Sequence, residues 1–407
     1  MTRAVVVVGA GHSGVALAAA LRAAGFDGEL TLVSDESGPP YQRPPLSKTY
    51  LAGGTAEDAL WLRPPPFFAE RGIALIEADA AVAIDRSARR LLLASGRSVP
   101  YDALVLAVGA RNRALPVPGA PAGHDLRTLA DARRLRERLG TGGRTVVIGA
   151  GFIGLEFAAT AAKAGHTVTV VDAAPRALGR SVSLPVAERL TAYHRALGVA
   201  FRFGVTIEAI EEDGGWPTAV RLAGERLGAS LVVVGIGVTP NTALAKDAGL
   251  AVADGILVDG TMATSDPSVF AIGDCARHRH AHGAGASVRL ESVQNANDTA
   301  RLLAAVLTGG TAPAPPVPWF WSDQGEAKLQ IAGLGAQDDC IATTGSGGLD
   351  LTALRYRDGV LAAVETINRP GDHMAARRLI GSADAPSYAA AAGGTVDLRS
   401  AARGRRR

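Results

Sequence analysis

The chain carries one arrangement of apolar and polar positions twice. Residues 4–8 read A-V-V-V-V and enter a turn with glycines at Gly9, Gly11 and Gly14. Leu17 and Leu21, four apart, then set helical spacing over residues 15–24. Thr145 to Glu156, T-V-V-I-G-A-G-F-I-G-L-E, repeats the pattern with Gly149, Gly151 and Gly154. Short apolar runs closed by glycine predict strands buried on both faces of a parallel sheet. Further runs at 30–33, 101–108, 167–171, 199–203, 219–222, 231–237 and 269–274 predict its other strands. Residues 73–84 and 90–95 read as a β-rich excursion. After Arg127, the sequence Thr128-Leu129-Ala130-Asp131 is a capping-box pattern that opens a helix through 139. A further helix is predicted over 295–307. Thr311-Ala312-Pro313-Ala314-Pro315-Pro316 marks a domain boundary. Beyond it, strands at 328–331, 340–343, 351–357 and 360–366 and a helix over 369–380 predict an antiparallel sheet with one or two helices.

Each glycine of the repeated turn has a mechanical reason. The first makes the tight turn, the second lets backbone approach a pyrophosphate, and the third lets helix pack on strand. The helix N-terminus then offers N–H groups and a positive dipole end to phosphate. An acid comes after each copy at the spacing of a ribose ligand, Asp35 and Asp172. Two copies point to two dinucleotides; the alternative is that one copy is only a structural α/β turn. The fold class expected is α/β, with two dinucleotide-binding (Rossmann-like) domains and a C-terminal α+β domain.

Composition narrows the class. A chain of 407 residues holds two or three domains. The formal charge of +3 is outweighed by four arginines in the last five residues, so the remainder is near neutral and no nucleic-acid partner is expected. Those arginines read as a basic disordered tail. Cys275 and Cys340 are too far apart for a redox pair or a local metal site, which argues for a reducing compartment. No apolar run approaches membrane-spanning length. An N-terminal signal peptide would remove the first glycine turn, so it is rejected and the cytoplasm is expected.

Residues 39–51, P-P-Y-Q-R-P-P-L-S-K-T-Y-L, form a proline-stiffened loop leading into a helix near Ser47. Spacing alone leaves Arg43 and Lys48 either solvated cations or ligands. Asp274, after Gly273, either caps a helix or places a carboxylate at the sheet edge. Trp319 and Phe320 read equally well as core.

The motifs G-A-G-H-S-G, P-P-L-S-K, G-A-G-F-I-G-L-E, F-A-I-G-D, E-S-V-Q-N-A and P-W-F-W-S-D-Q together resemble the FAD-containing NADH:ferredoxin reductases that serve bacterial oxygenases. The resemblance implies a glutathione-reductase type of fold: an FAD domain of 1–110 and 236–312, an NAD domain of 111–235, a C-terminal domain of 313–397 and a tail of 398–407. It implies FAD on Gly9, Gly11, Ser13, Gly14, Asp35, Arg43, Lys48, Val82, Arg127, Asp274 and Val293. It implies NADH on Gly149, Gly151, Phe152, Ile153, Gly154, Asp172 and Gly237, with Glu156 near the nicotinamide and Trp321 beside the flavin. Two departures stand out: Gly325 where the family often has tyrosine, and Ile272 for a usual alanine.

The reaction so implied is hydride transfer to the flavin, then single-electron transfers to a [2Fe-2S] ferredoxin supplying an oxygenase such as a cytochrome P450 or a ring-hydroxylating dioxygenase. Lys48 and Glu156 are expected to meet as an ion pair, whereas the dipole argument alone makes Glu156 an ordinary first-turn acid. Asp172 would repel a 2′-phosphate by roughly 4 kcal/mol at about 4 Å, and Arg176 and Arg180 on the loop after it would soften that preference for NADH. An acidic ferredoxin calls for a basic dock, with Arg63, Arg301 and Arg378 as candidates. A monomer or weak dimer is expected. Two rivals remain. A peroxidase or disulfide reductase needs a reactive cysteine beside the flavin, and residues 43–50 offer none. A redox-sensing flavoprotein similar to apoptosis-inducing factor shares the fold.

Overall fold

The valines of Ala4–Val8 sit at the centre of a five-stranded parallel sheet in the order Val269–Ala271, Ala103–Leu106, Ala4–Val8, Glu29–Val33 and Ile73–Ile76. Val7 faces Leu32 on one side and Val105 on the other, and all three are fully buried. A central parallel strand is buried on both faces, which is why its sequence is apolar throughout rather than alternating. The helix His12–Ala23 lays Leu17 and Leu21 against this sheet, beside Leu303 of the helix Val293–Thr308. In this computed structural model every residue is described except 1, 141, 284, 395 and 405–407.

The chain divides into two compact units. The first is Met1–Gln42, Asp58–Arg111 and Thr239–Pro316; the second is Arg43–Glu57, Asn112–Val238 and Val317–Arg407. Within the first, the predicted excursion resolves into two things. Ile73–Ile76 joins the parallel sheet, and Ala81–Asp85, Arg90–Leu93 and Ser98–Pro100 make a small antiparallel sheet.

The second unit holds a four-stranded parallel sheet in the order Ala200–Phe203, Thr167–Asp172, Arg144–Ile148 and Leu231–Val234. The helix Leu129–Leu139 starts at Thr128, whose side chain accepts from the Asp131 N–H while the Asp131 carboxylate accepts from the Thr128 N–H, so the capping box forms. A three-stranded meander, Ile207–Asp213, Trp216–Leu222 and Glu225–Gly228, surrounds the single strand expected near 219–222. Its outer strands are rich in charge, which hides them from an apolar pattern.

The last sheet is antiparallel, in the order Trp319–Gln324, Ala327–Gly333, Val360–Ile367, Asp350–Arg357 and Cys340–Gly347. It carries three helices rather than one or two: Pro370–Leu379, Tyr388–Ala392 and Leu398–Ala402. The last of these falls where a disordered tail was expected from residue 398. Asp397 caps it, Leu398 is buried, and Arg399 Nε reaches Asp372 at 2.9 Å. Local charge misled there because one apolar side chain and a cap anchor the turn. Arg405, Arg406 and Arg407 lie outside the described residues. Inside this unit the helix Leu184–Ala196 is fastened to the last sheet through Glu365, which accepts from the Ser183 N–H at 2.9 Å and pairs with Arg355 at 2.6 Å.

Residues 43–57, expected with the first dinucleotide domain, cluster with the second unit. Their side chains explain it: Arg43 Nη1 donates to the Arg127 carbonyl at 2.7 Å, and Glu57 pairs with Arg133.

Candidate functional site

The two glycine turns obey the same constraints. Gly9 and Gly149 have φ of +108° and +107°, and a Cβ on either would stand 2.3 or 2.4 Å from a carbonyl of the neighbouring strand end, Ala107 or Gly235. A Cβ on Gly14 or Gly154 would stand 1.9 or 2.1 Å from the carbonyl of Gly9 or Gly149. Backbone packing thus forces the first and third glycine of each copy. The second is different. A Cβ on Gly11 meets nothing within 4 Å, and one on Gly151 meets only Gly235 O at 3.8 Å. Their φ values, −79° and −81°, suit any residue. Protein atoms give no reason for glycine there; an approaching pyrophosphate does. This open cradle at a helix N-terminus is the fit expected of a dinucleotide.

Around the first turn, Gly273 packs on Ser13, whose Oγ would lie 2.7 Å from a Cβ on that glycine. This brings the start of the first helix beside the turn bearing Asp274, whose carbonyl accepts from Arg289 Nη1 at 3.2 Å. Val293 is the first residue of its helix behind the Ser292 cap. Val82 sits at a register shift between Ala81 and Ala83, so its backbone leaves the ladder and its side chain is 54% exposed. Ile272 is fully buried in the core.

The two acids expected at the riboses differ. Gly9 N–H donates to Val33 O and Gly149 N–H to Val171 O, both at 2.8 Å, which aligns Asp172 with Ser34 rather than with Asp35. Asp172 accepts from the N–H groups of Ala150 at 2.6 Å and Ala174 at 2.7 Å, so it braces its own glycine turn. Asp35, one residue further on, is exposed.

The second turn leads to a buried polar cluster. Glu156, on the helix Phe152–Lys163, is 2% exposed. Lys48 Nζ is 2.9 Å from Glu156 Oε2, and Ser322 Oγ donates to Oε1 at 2.7 Å. Ser47 Oγ donates to Oε2, and Lys48 also donates to the Pro44 carbonyl at 3.2 Å. Burial pushes the Glu156 carboxyl above the usual carboxylate range, while Lys48 and the two serines pull it back. The expected ion pair is present, and the reading of Glu156 as an ordinary first-turn acid falls with it. Pro44–Ser47 is a single 3₁₀ turn rather than a longer helix.

Other expected residues have other neighbours. The Phe152 ring packs on Phe320 at 4.6 Å, and Ile153 is 44% exposed. Gly237 is exposed at φ +99°, with its carbonyl accepting from Arg113 N–H at 3.0 Å. Arg176 bonds the carbonyls of Gly179 at 3.0 Å and Val182 at 3.1 Å, so its guanidinium is committed to its own loop; Arg180 is exposed. Trp321 stacks obliquely on Trp319, 5.5 Å away, and Trp319 meets His373 and the Arg377 guanidinium. Arg63 lies over the Phe67 ring and Arg301 pairs with Asp298 at 3.0 Å, while Arg378 is exposed. At Gly325 (φ +67°) a Cβ would stand 2.5 Å from Tyr193 Oη, a hydroxyl that accepts from the Glu326 N–H at 2.8 Å.

Sequence reasoning passed over Ser47, Ser322, Gln324 and His194. The signal for two of them was alternation: in W-F-W-S-D-Q the polar Ser322 and Gln324 share one strand face and are fully buried. Thiol chemistry has little support. Cys275 is buried, its thiol pushed up to about 12 by desolvation, and Cys340 is exposed on the last sheet. Among the described residues no cluster could hold a metal ion, and no helix is long and apolar enough to cross a membrane.

Comparison with known proteins agrees with this geometry. Residues 3–300 match the pyridine nucleotide-disulphide oxidoreductase family, and residues 319–402 match a reductase C-terminal domain. Rhodocoxin reductase of Rhodococcus erythropolis is 46% identical over 380 residues, 92% of this chain and 89% of its own. The ferredoxin reductase for the CYP199A2 system of Rhodopseudomonas palustris superposes with a TM-score of 0.94 at 45% identity, over 98% of this chain and 100% of that one. Putidaredoxin reductase in its covalent complex with putidaredoxin superposes with a TM-score of 0.90 at 41% identity, over 93% and 92%. The chain belongs to the pyridine nucleotide-disulphide oxidoreductase family and is an FAD- and NAD(H)-dependent oxidoreductase.

Proposed function

We propose that this chain passes electrons from NADH through FAD to a [2Fe-2S] ferredoxin that supplies an oxygenase. The observation that carries the reading is the buried Lys48–Glu156 pair held by two serines, with no thiol on the turn that bears the lysine. Disulfide chemistry needs a sulfur there; electron transfer out of a flavin does not. The solved reductases that the chain resembles, one for the CYP199A2 system and one joined to putidaredoxin, support the same partner class.

When bound, FAD supplies acceptance of a hydride and release of its electrons one at a time. The protein's part is orientation and charge. Gly9, Gly11, Ser13 and Gly14 would hold the FAD phosphates, with Asp35 and Asp274 on its sugar hydroxyls and Val293 also in contact with FAD. Val82, Arg43 and Arg127 would complete that site. Gly149, Gly151, Phe152, Ile153, Gly154, Asp172, Arg180 and Gly237 would hold NADH. The Lys48 ammonium would favour the reduced ring, Glu156 would orient that lysine or the nicotinamide amide, and Trp321 would lie beside the flavin. Arg63, Arg301 and Arg378 would form the basic dock for an acidic ferredoxin, in a cytoplasmic monomer or weak dimer.

The test is NADH-driven cytochrome c reduction by the purified flavoprotein, with and without a [2Fe-2S] ferredoxin. The reduction should require the ferredoxin and slow steeply with rising salt, because exposed charges are screened beyond about 10 Å at 0.1 M. Ferredoxin-independent reduction at the same rate would overturn the reading, and a flat salt response would remove the basic dock.

A further inference from the structure

A line of polar groups runs from Glu156 into the interior of the second unit. Ser322 Oγ donates to Glu156 Oε1 at 2.7 Å, and Gln324 Nε2 donates to Ser322 Oγ at 3.3 Å. Gln324 Oε1 lies 2.9 Å from His194 Nε2 in the last turn of the helix Leu184–Ala196. Ser322, Gln324 and His194 are each 0% exposed. A carboxamide oxygen can only accept, so His194 carries its proton on Nε2. Its Nδ1 is buried and has no hydrogen-bond partner. Burial lowers the His194 pKa and keeps the ring neutral.

Every donor in this line points toward Glu156. Ser322 has one hydroxyl proton, and the face that Gln324 turns to it decides where that proton goes. With the Gln324 NH2 toward the serine, the proton is committed to the carboxylate; with its carbonyl there, two acceptors would compete for it. An amide does not relay protons as a hydroxyl or an imidazole does, so the line orients rather than conducts. We propose that His194 and Gln324 are positioning residues that fix the Gln324 amide, commit the Ser322 hydroxyl to Glu156, and so hold the Glu156 carboxylate in the charged form that pairs with Lys48. The inference rests on the proposed role of Glu156 in flavin reduction.

The surroundings of Glu156 leave few other charges to set its state. Lys48 touches it from the 3₁₀ turn. Lys163 of its own helix is drawn to Glu326 at 3.7 Å. Asp172 of the adjacent strand is occupied by two backbone N–H groups, and Asp323 faces the other side of its own strand.

The experiment is an infrared pH titration of the Glu156 carboxyl in the holoprotein, its band identified by loss in Glu156→Gln. Gln324→Met keeps the volume and removes both hydrogen bonds; it should raise the midpoint by about half a pH unit, roughly threefold in the protonation equilibrium. His194→Phe should do the same, and His194→Gln, which restores a donor at the Nε2 position, should return the midpoint. Adding Gln324→Met to Ser322→Ala should produce no further shift. A midpoint unmoved by both Gln324→Met and His194→Phe while Ser322→Ala shifts it, or shifts that simply add, would overturn the proposal. Should Gln324→Met fail to retain flavin, the His194→Phe and His194→Gln pair decides it. An unchanged stopped-flow rate of flavin reduction in Glu156→Gln would sink the functional reading instead, and the infrared result would still stand on its own.

Discussion

The two glycine turns share a backbone and differ in the residues beyond it. Their first and third glycines are forced by almost identical close approaches. Two residues past the third glycine, however, the first copy has Ala16 and the second has Glu156; at the strand end, the first has Ser34 and the second Asp172. The shared positions answer to strand, helix and pyrophosphate, which are the same problem twice. The differing ones, on the proposed function, answer to what lies past the phosphates. One copy is a plain cradle, and the other is a cradle with an acid braced at its strand end and an ion pair on its helix.

The comparison can be broken at three depths. Gly11→Ala and Gly151→Ala put a methyl group into open space at an unstrained φ. The apoprotein's thermal midpoint should barely move. Overpacking of about 1–3 kcal/mol against the ligand should instead weaken flavin retention in Gly11→Ala and raise half-saturation by NADH in Gly151→Ala, roughly tenfold to a hundredfold each. Flavin fluorescence after gel filtration and a reductive titration read the two out; loss of both ligands from either variant would mean that the copies do not serve separate dinucleotides.

Glu156→Ala turns the second copy into the first. Stopped-flow flavin reduction should fall roughly tenfold or more, and unfolding in denaturant should show a loss of roughly 3 kcal/mol, since Lys48 is left mostly buried without its partner. An unchanged rate with lowered stability would leave the pair a structural feature only. The smallest effect belongs to Asp172→Ser, which copies Ser34. The ratio of kcat/KM for NADH to that for NADPH should drop about tenfold as one negative charge leaves the proposed ribose end. Arg176 donates to carbonyls of its own loop, so the exposed Arg180 is the better placed of the two to meet a 2′-phosphate.

Much of this was legible in the chain because it is written locally. The glycine turns, the buried valine runs and the Thr128–Asp131 cap each rest on residues within a few positions of one another, and each formed as read. The Lys48–Glu156 pair joins residues 108 apart in number and came from family resemblance; spacing alone left Lys48 undecided. Ser322 and Gln324 carry an alternation signal, but nothing local ties them to His194, 130 residues away, so the line is visible only once strand and helix meet. The Leu398–Ala402 helix was missed for the opposite reason, a strong local charge signal overridden by a cap, an apolar anchor and an ion pair to Asp372.

The Tyr193 hydroxyl stands where a side chain on the Gly325 turn would begin. The space is therefore filled from the helix instead of from the turn, and the two positions behave as one locus with two addresses. Any side chain at 325 would therefore meet that hydroxyl at its first carbon. A larger residue at 325 in this chain has to be matched by a smaller one at 193.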